Sequence, residues 1–226
     1  MILRRVLPIL AVAALRAASL AAPLAAPLAA QHAPRVEIQL PTPTRLTSEG
    51  PLVRAAGVLS DERMRELLRS GFPAHLHFRV ELWSSERWFD QLHRTAEWDV
   101  VVSLRGVDQM YEVMQVVGDR QLSLGAFARI EDAEAAVERP VRVPITAPAS
   151  DRRFYYKVEL DVETLSMTDL DEVSRWLRGE LQPAVRGRRN PGTAFTRGLR
   201  SLTSRILGGE RREYGARSAT FRPPNG

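Results

Sequence analysis

The stretch FPAHLHFRVELW, residues 72–83, decides the fold class of this chain. From residue 74 onward apolar and polar residues alternate, and a period of two residues is that of a β-strand with one face in the core. The sequence therefore predicts a strand with its apolar face inward and its polar face toward solvent. The predicted inward residues are Ala74, Leu76, Phe78, Val80 and Leu82, and the predicted outward residues are His75, His77, Arg79 and Glu81.

Further strands are predicted on both sides of this one, with turn residues between them. About seven short strands joined by hairpins, with two or three short connecting helices, predict a mainly β fold, either an antiparallel sandwich or a half-open barrel. Ser60 is the predicted N-cap of the first helix, and Gly71 is expected to end it. The predicted strands lie at 36–40, 52–58, 74–82, 95–105, 110–117 and 154–162, and the predicted helices at 61–70, 130–138 and 169–181.

The first 30 residues are typical of an export signal. Two arginines precede an apolar run over residues 6–15, and small residues follow, which is the order found in signal peptides. A membrane span needs about 20 mostly apolar residues, but Arg16 and two prolines interrupt this segment. We therefore expect cleavage between Ala21 and Ala30 rather than an uncleaved anchor, and a periplasmic or envelope-associated protein.

Charge and cysteine content exclude several classes of protein. The chain has no cysteine, which excludes disulfides, thiolate metal sites and a cysteine nucleophile. The net charge is +5, but residues 183–226 alone hold ten arginines and two acidic residues, so the body at 31–182 is acidic. An acidic body argues against a nucleic-acid-binding core. We expect 31–182 to be a single strand-rich domain.

The segment 183–226 is rich in glycine, proline and arginine, which predicts a mostly disordered basic tail. Within it, residues 193–207 form a candidate amphipathic helix. Such a helix binds an anionic membrane surface or a protein partner. The alternatives are that its apolar stripe packs on the protein's own body, or that the segment stays disordered. The stripe consists of Phe195, Leu199, Leu202 and Ile206, with Arg197 and Arg200 on the opposite side.

The pair His75 and His77 raises the question of a metal centre, because both imidazoles lie on one strand face. A stable zinc site needs three or four protein ligands, and Glu81 or His93 would have to supply the third. Arg79 stands between them on the same face and would repel a divalent cation. We therefore interpret the two histidines as solvent-facing, and predict no metal, cofactor or catalytic residue. A metal-dependent hydrolase is the third-ranked alternative.

Aromatic residues cluster around the hairpin that follows residue 83. Trp88 and Phe89 are adjacent, so both cannot face the core of a strand, and at least one exposed ring is expected. Trp83, Trp88 and Phe89 therefore form a candidate surface for a glycan or a peptide. The alternative is cross-strand aromatic packing that also includes Trp98.

The order of motifs over residues 50–180 resembles the bacterial exported family called domain of unknown function 4390. Members of this family are often encoded beside a membrane sensor histidine kinase, so the resemblance implies an accessory role in the envelope without a known activity. The motifs that carry it are SGFPAHLHFRVELW, SSERWFD, GVDQMYEVMQ, FARIEDAEAAV and FYYKVELDVETL, followed by Trp176.

These observations favour a non-enzymatic interaction module of the cell envelope, associated with a membrane sensor kinase or with the membrane surface. The chain contains no G-x-S-x-G motif, no P-loop and no H-E-x-x-H motif. The main alternative is a glycan- or peptide-binding domain that uses the aromatic hairpin.

Overall fold

The structure is a computed structural model that describes residues 33–86, 88–164 and 211–224. The predicted mainly β, antiparallel fold is confirmed. The described strands form one sheet of three strands and one of six, and neither sheet closes into a barrel. Residues from both sheets contribute to one hydrophobic core.

The described elements follow the chain in a simple order. The strands are β1 (Arg35–Gln39), β2 (Leu52–Ala56), β3 (Ala74–Ser85), β4 (Asp90–Leu104), β5 (Tyr111–Val117), β6 (Arg120–Phe127), β7 (Val141–Arg142), β8 (Arg153–Thr164) and β9 (Arg211–Arg217). The α-helices are α1 (Glu62–Arg69) and α2 (Ile130–Val137), and a short 3-10 helix covers Pro43–Arg45.

Strand β3 is a central strand of the larger sheet. The strand order is β6-β5-β4-β3-β8-β9 in the larger sheet and β1-β2-β7 in the smaller one. Every predicted inward residue of β3 is at most 3% exposed, so the alternation assigned the core face correctly. The odd-numbered residues of β3 and β8, and those of β4 from residue 95 onward, lie on the opposite face, where His77 is paired between Asp99 and Asp161.

Helix α1 begins one residue later than the sequence pattern indicated. Its N-cap is Asp61, whose carboxylate accepts a hydrogen bond of 3.0 Å from the backbone N–H of Met64. Ser60 instead donates its hydroxyl proton to the carbonyl of Gly57, at 2.7 Å. The prediction of Ser60 as N-cap was therefore wrong, because both residues are good caps and only one of them has the register to reach the first turn. Gly71 follows the helix with φ +88, as expected of a residue just past a C-terminus.

The prediction that the chain beyond residue 182 is mostly a disordered tail was wrong for residues 211–224. Strand β9 pairs with β8 along seven residues, and Phe221 makes a further bridge with Phe154. Tyr214 packs against the core, while Arg211 faces Asp161 at 3.3 Å. The composition of the whole segment hid this short alternating strand, whose first arginine pairs with an acidic residue of β8.

Other predictions for the ends of the chain lie outside the described residues. These are the signal peptide at 1–30, the helix at 169–181 and the amphipathic helix at 193–207 with its six named residues. Neither α-helix within the described ranges is long and apolar enough to cross a membrane.

Candidate functional sites

His75 and His77 are buried, so the prediction that they face solvent was wrong. Only 2% of His75 and 6% of His77 is exposed. Strands β4 and β8 flank them on either side and bring carboxylates within hydrogen-bond distance. A buried polar group is stable only when it is paired, and these carboxylates supply the pairing.

His75 bridges two carboxylates. Its Nε2–H donates to Asp99 at 2.9 Å, and its Nδ1–H donates to Glu163 at 3.0 Å. An imidazole that donates from both nitrogens is the protonated form. Burial by itself would lower the pKa of His75, but the hydrogen bonds and negative charges of Asp99 and Glu163 outweigh it and raise the pKa to about 9.

Asp99 is shared between the two histidines. The same oxygen, Oδ1, accepts from His75 and from the Nδ1–H of His77, the latter at 2.9 Å. Burial would raise the pKa of Asp99, but the hydrogen bonds from His75 and His77 outweigh it and lower the pKa. We call His75, His77, Asp99 and Glu163 the histidine network. It is a chain of charge-assisted hydrogen bonds across three strands.

One ring nitrogen of the histidine network, Nε2 of His77, differs from the others in its hydrogen bonding. Nε2 is buried and has no hydrogen-bond partner among the described residues. The carboxylate of Asp99 fixes the orientation of the ring through Nδ1. His77 is therefore held at one nitrogen, whereas His75 is held at both.

The ligand set considered for a metal hydrolase does not converge. Glu81 accepts a hydrogen bond from the indole of Trp83 at 2.8 Å and pairs with Arg79 at 2.8 Å. His93 is hydrogen-bonded to the hydroxyl of Ser84. Within the described residues, no three His, Cys, Asp or Glu side chains are grouped so that they could hold a metal ion.

The aromatic residues of the β3–β4 hairpin divide into an inner and an outer group. Trp98 lies in the core, stacked on Phe78 with ring centroids 4.7 Å apart. In contrast, Trp88 is 88% exposed and Phe89 is 66% exposed, and both lie between β3 and β4. The expectation of at least one exposed ring is met by two.

Leu92 extends this apolar surface into β4. It is an exposed large hydrophobic residue, and it lies directly opposite Trp83 in the strand pairing. A register shift between Leu82 and Trp83 precedes this pair. We call Trp88, Phe89 and Leu92 the aromatic tip.

Polar contacts hold the residues on both sides of the turn that carries the aromatic tip. The hydroxyl of Tyr155 donates to Asp90 at 2.8 Å, and the guanidinium of Arg217 lies 3.6 Å from the centre of the Tyr155 ring. Burial, followed by the hydrogen bond to Asp90, raises the pKa of Tyr155. Arg152 and Glu86 form an ion pair at 3.2 Å beside the tip. The exposed rings therefore project from an anchored base.

Sequence reasoning missed the residues that support both sites. Asp99 and Asp90 lie in β4, for which the sequence predicted a strand at 95–105 but no site residue. Glu163 belongs to the acidic positions of β8, which alternate with its core residues. The pairing of both strands with β3 was the missing information, since it places Asp99 and Glu163 beside the histidines.

No family model, curated protein or solved structure matches the chain. The resemblance to domain of unknown function 4390 therefore stays a prediction, and the assignment of function depends on the geometry described above.

Proposed function

We propose that this protein is a non-enzymatic interaction module of the cell envelope, and that the aromatic tip is the surface that contacts its partner. The observation that carries this proposal is the exposure of Trp88 and Phe89 at the end of a long, anchored hairpin. Exposure of large aromatic rings to water is unfavourable in free energy, and adjacent exposed rings therefore mark contact surfaces.

The chemistry beside the tip favours an apolar protein segment over a glycan. A sugar-binding platform combines an aromatic ring with a few polar groups aimed at hydroxyls. Here the nearby polar groups already pair with each other, since Glu86 pairs with Arg152 and Asp90 accepts from Tyr155. An apolar peptide needs fewer free hydrogen-bonding groups from the surface that it covers.

The export signal predicted at residues 1–30 supports a location in the cell envelope. The family resemblance adds a membrane sensor kinase as the kind of partner to test first. Association with the membrane surface through residues 193–207 is a separate part of the hypothesis. Fractionation of cells that express the full chain or a chain lacking 193–207 tests that part, and equal membrane association of the two would remove it.

Site-specific photo-crosslinking tests the tip. A photoreactive phenylalanine replaces Trp88 in the full-length protein, expressed in a Gram-negative host together with a membrane sensor kinase of the kind that the family resemblance implies. The matched control replaces Val107, a fully exposed apolar residue in the turn between β4 and β5. We expect a discrete adduct from position 88 and none from position 107. The same adducts from both positions, or none from either, would remove the tip as the contact surface.

A further inference from the structure

The larger sheet ends in strand β6 on one side and in strand β9 on the other. Natural proteins protect such edges with charged residues, prolines or bulges, because the unpaired backbone groups of an edge strand can bind another strand. Four of the seven residues of β9 are charged. In contrast, β6 has one charged residue among eight, Arg120, and contains no lysine and no proline. Among the described strands, none pairs with the outer edge of β6, which is therefore the less protected edge of the sheet.

A bulge divides β6 into an irregular half and a regular half. The register with β5 shifts opposite Leu124, between Val113 and Met114, and the adjacent Gly125 has φ +134. A bulge of this kind protects the half of the edge in which it lies. Residues 120–123 pair with β5 without a shift, and all four are exposed. The regular half is therefore open to another strand.

The turn between β5 and β6 determines which backbone groups of this half point outward. The turn has two residues, 118–119, so it is closed by the hydrogen-bonded pair of Val117 and Arg120. In an antiparallel pair of strands, hydrogen-bonded and non-hydrogen-bonded pairs alternate. The backbone N–H and C=O groups of Gln121 and Ser123 therefore point away from β5.

We propose that this edge pairs with the same edge of a second copy of the chain, in antiparallel orientation about a two-fold axis. The register centred on Leu122 uses all four outward backbone groups, because it sets Gln121 of each copy opposite Ser123 of the other. A register centred on Gln121 or on Ser123 would instead set a residue of the turn or of the bulge against the second copy.

The side chains also match their own copies in this register. Leu122, which is 58% exposed, lies against Leu122 of the second copy, and this contact removes apolar surface from water. Arg120 lies opposite Leu124, so no like charges face each other. Gln121 and Ser123, both polar, face each other on the other side of the strands. This self-complementarity favours a second copy over an unrelated extended peptide, and the proposal is independent of the aromatic tip.

Disulfide formation tests the proposed register. The chain has no cysteine, so one introduced cysteine reports only on its own position. Residue 122 faces its copy in a non-hydrogen-bonded pair, in which Cα atoms lie about 4.5 Å apart, a distance that a disulfide spans. The matched control is Val107→Cys, at an exposed apolar residue in the turn between β4 and β5. Under mild oxidation of the whole protein, Leu122→Cys should form a covalent dimer at least about tenfold faster than the control, because pairing holds the thiols together.

Sedimentation velocity tests the dimer without a crosslink. We expect a monomer–dimer equilibrium with a Kd in the micromolar range, since two short strands bury less than the roughly 1,600 Å² of a standard interface. Leu122→Lys should raise this Kd at least about tenfold, because two ammonium groups would replace an apolar contact at the axis. Val107→Lys makes the same change in charge away from the edge and should leave the Kd unchanged.

Three results would overturn the proposal. The first is a covalent dimer that forms at equal rates from positions 107 and 122. The second is a native protein that stays monomeric through the high micromolar range. The third is a dimer whose Kd does not change in Leu122→Lys, which would place the contact between copies on another surface.

Discussion

The two ends of the β3–β4 hairpin depart from the usual distribution of residues in opposite ways. At one end the histidine network buries charged and polar side chains on the polar face of the sheet, and at the other the aromatic tip exposes two large rings. Buried polar groups and exposed apolar patches are the informative exceptions in a folded protein. The comparison teaches that one end stabilises the fold and that the other end is available for binding.

Distance makes this comparison testable. Ser85, at the end of β3, lies eight positions after His77, which corresponds to roughly 25 Å of strand. Changes at sites so far apart usually add without coupling. A substitution in the histidine network should therefore leave binding at the tip unchanged, and a substitution at the tip should leave stability unchanged.

The largest effect is expected from Asp99→Ala. This change removes the acceptor of both histidines and leaves the charge on His75 balanced only by Glu163. Breaking a buried charged pair by removing one partner costs about 3–5 kcal/mol. We expect a loss of that size in the free energy of unfolding, measured by urea denaturation.

Asp119→Asn is the matched control for this measurement, since Asp119 is an exposed acidic residue in the turn between β5 and β6. It should change the free energy of unfolding by less than about 0.5 kcal/mol. If Asp99→Ala is no more costly than the control, the histidine network does not stabilise the fold.

The pH dependence of stability should follow next in size. The pKa of His75 in the folded protein is about 9, above its usual 6.5. A raised pKa contributes stability that is fully present below pH 6.5 and is lost as the pH rises through 9, and the loss is roughly 3 kcal/mol. The lowered pKa of Asp99 contributes stability that is present above its usual 3.8 and is lost in more acidic solution. The network therefore predicts greatest stability between these limits, at about pH 4–6.5.

His75→Gln is the control for the pH measurement. Denaturation series from pH 6 to 10 should show a steep decline in the native protein and a shallower one in this variant. Parallel curves for the two proteins would contradict the assignment of a protonated His75 to the network.

A smaller difference should separate the two histidines at a fixed pH. His75 donates from both ring nitrogens, whereas His77 donates from one and its Nε2 has no partner among the described residues. Hydrogen bonds to charged groups contribute about 1.5–3 kcal/mol each. At pH 6, His75→Gln should therefore destabilise the protein more than His77→Gln, by at least about 1 kcal/mol in urea denaturation. The reverse order would mean that a further contact of His77 is important.

Much of the fold could be predicted from local patterns. The alternation in β3 identified the core face correctly, because this strand has one face in the core shared with the smaller sheet. Alternation predicts which residues share a face, but it does not predict which side chains of the adjacent strands lie beside them. For that reason His75 and His77 were predicted to lie in solvent.

The other errors have a similar physical cause. Asp99 and Glu163 reach the histidines only through strand pairing, which joins residues 24 and 88 positions apart in the chain. Strand β9 was not predicted because composition was averaged over a long arginine-rich segment. The end of that segment is ordered by its aromatic residues, since Tyr214 and Phe221 both pack against the core. The exposed aromatic residues were the easier prediction, since Trp88 and Phe89 are neighbours and cannot both point inward.

The central claim, that the tip binds and does not stabilise, is tested most directly by Trp88→Ala in one preparation of the full-length protein. The free energy of unfolding and the affinity for the partner identified by crosslinking are measured together. We predict a change in unfolding free energy below about 0.5 kcal/mol and a loss of affinity of at least about tenfold, as expected for an aromatic hot spot. A destabilised protein with unchanged affinity would contradict the claim and would make the tip a packing element of the hairpin.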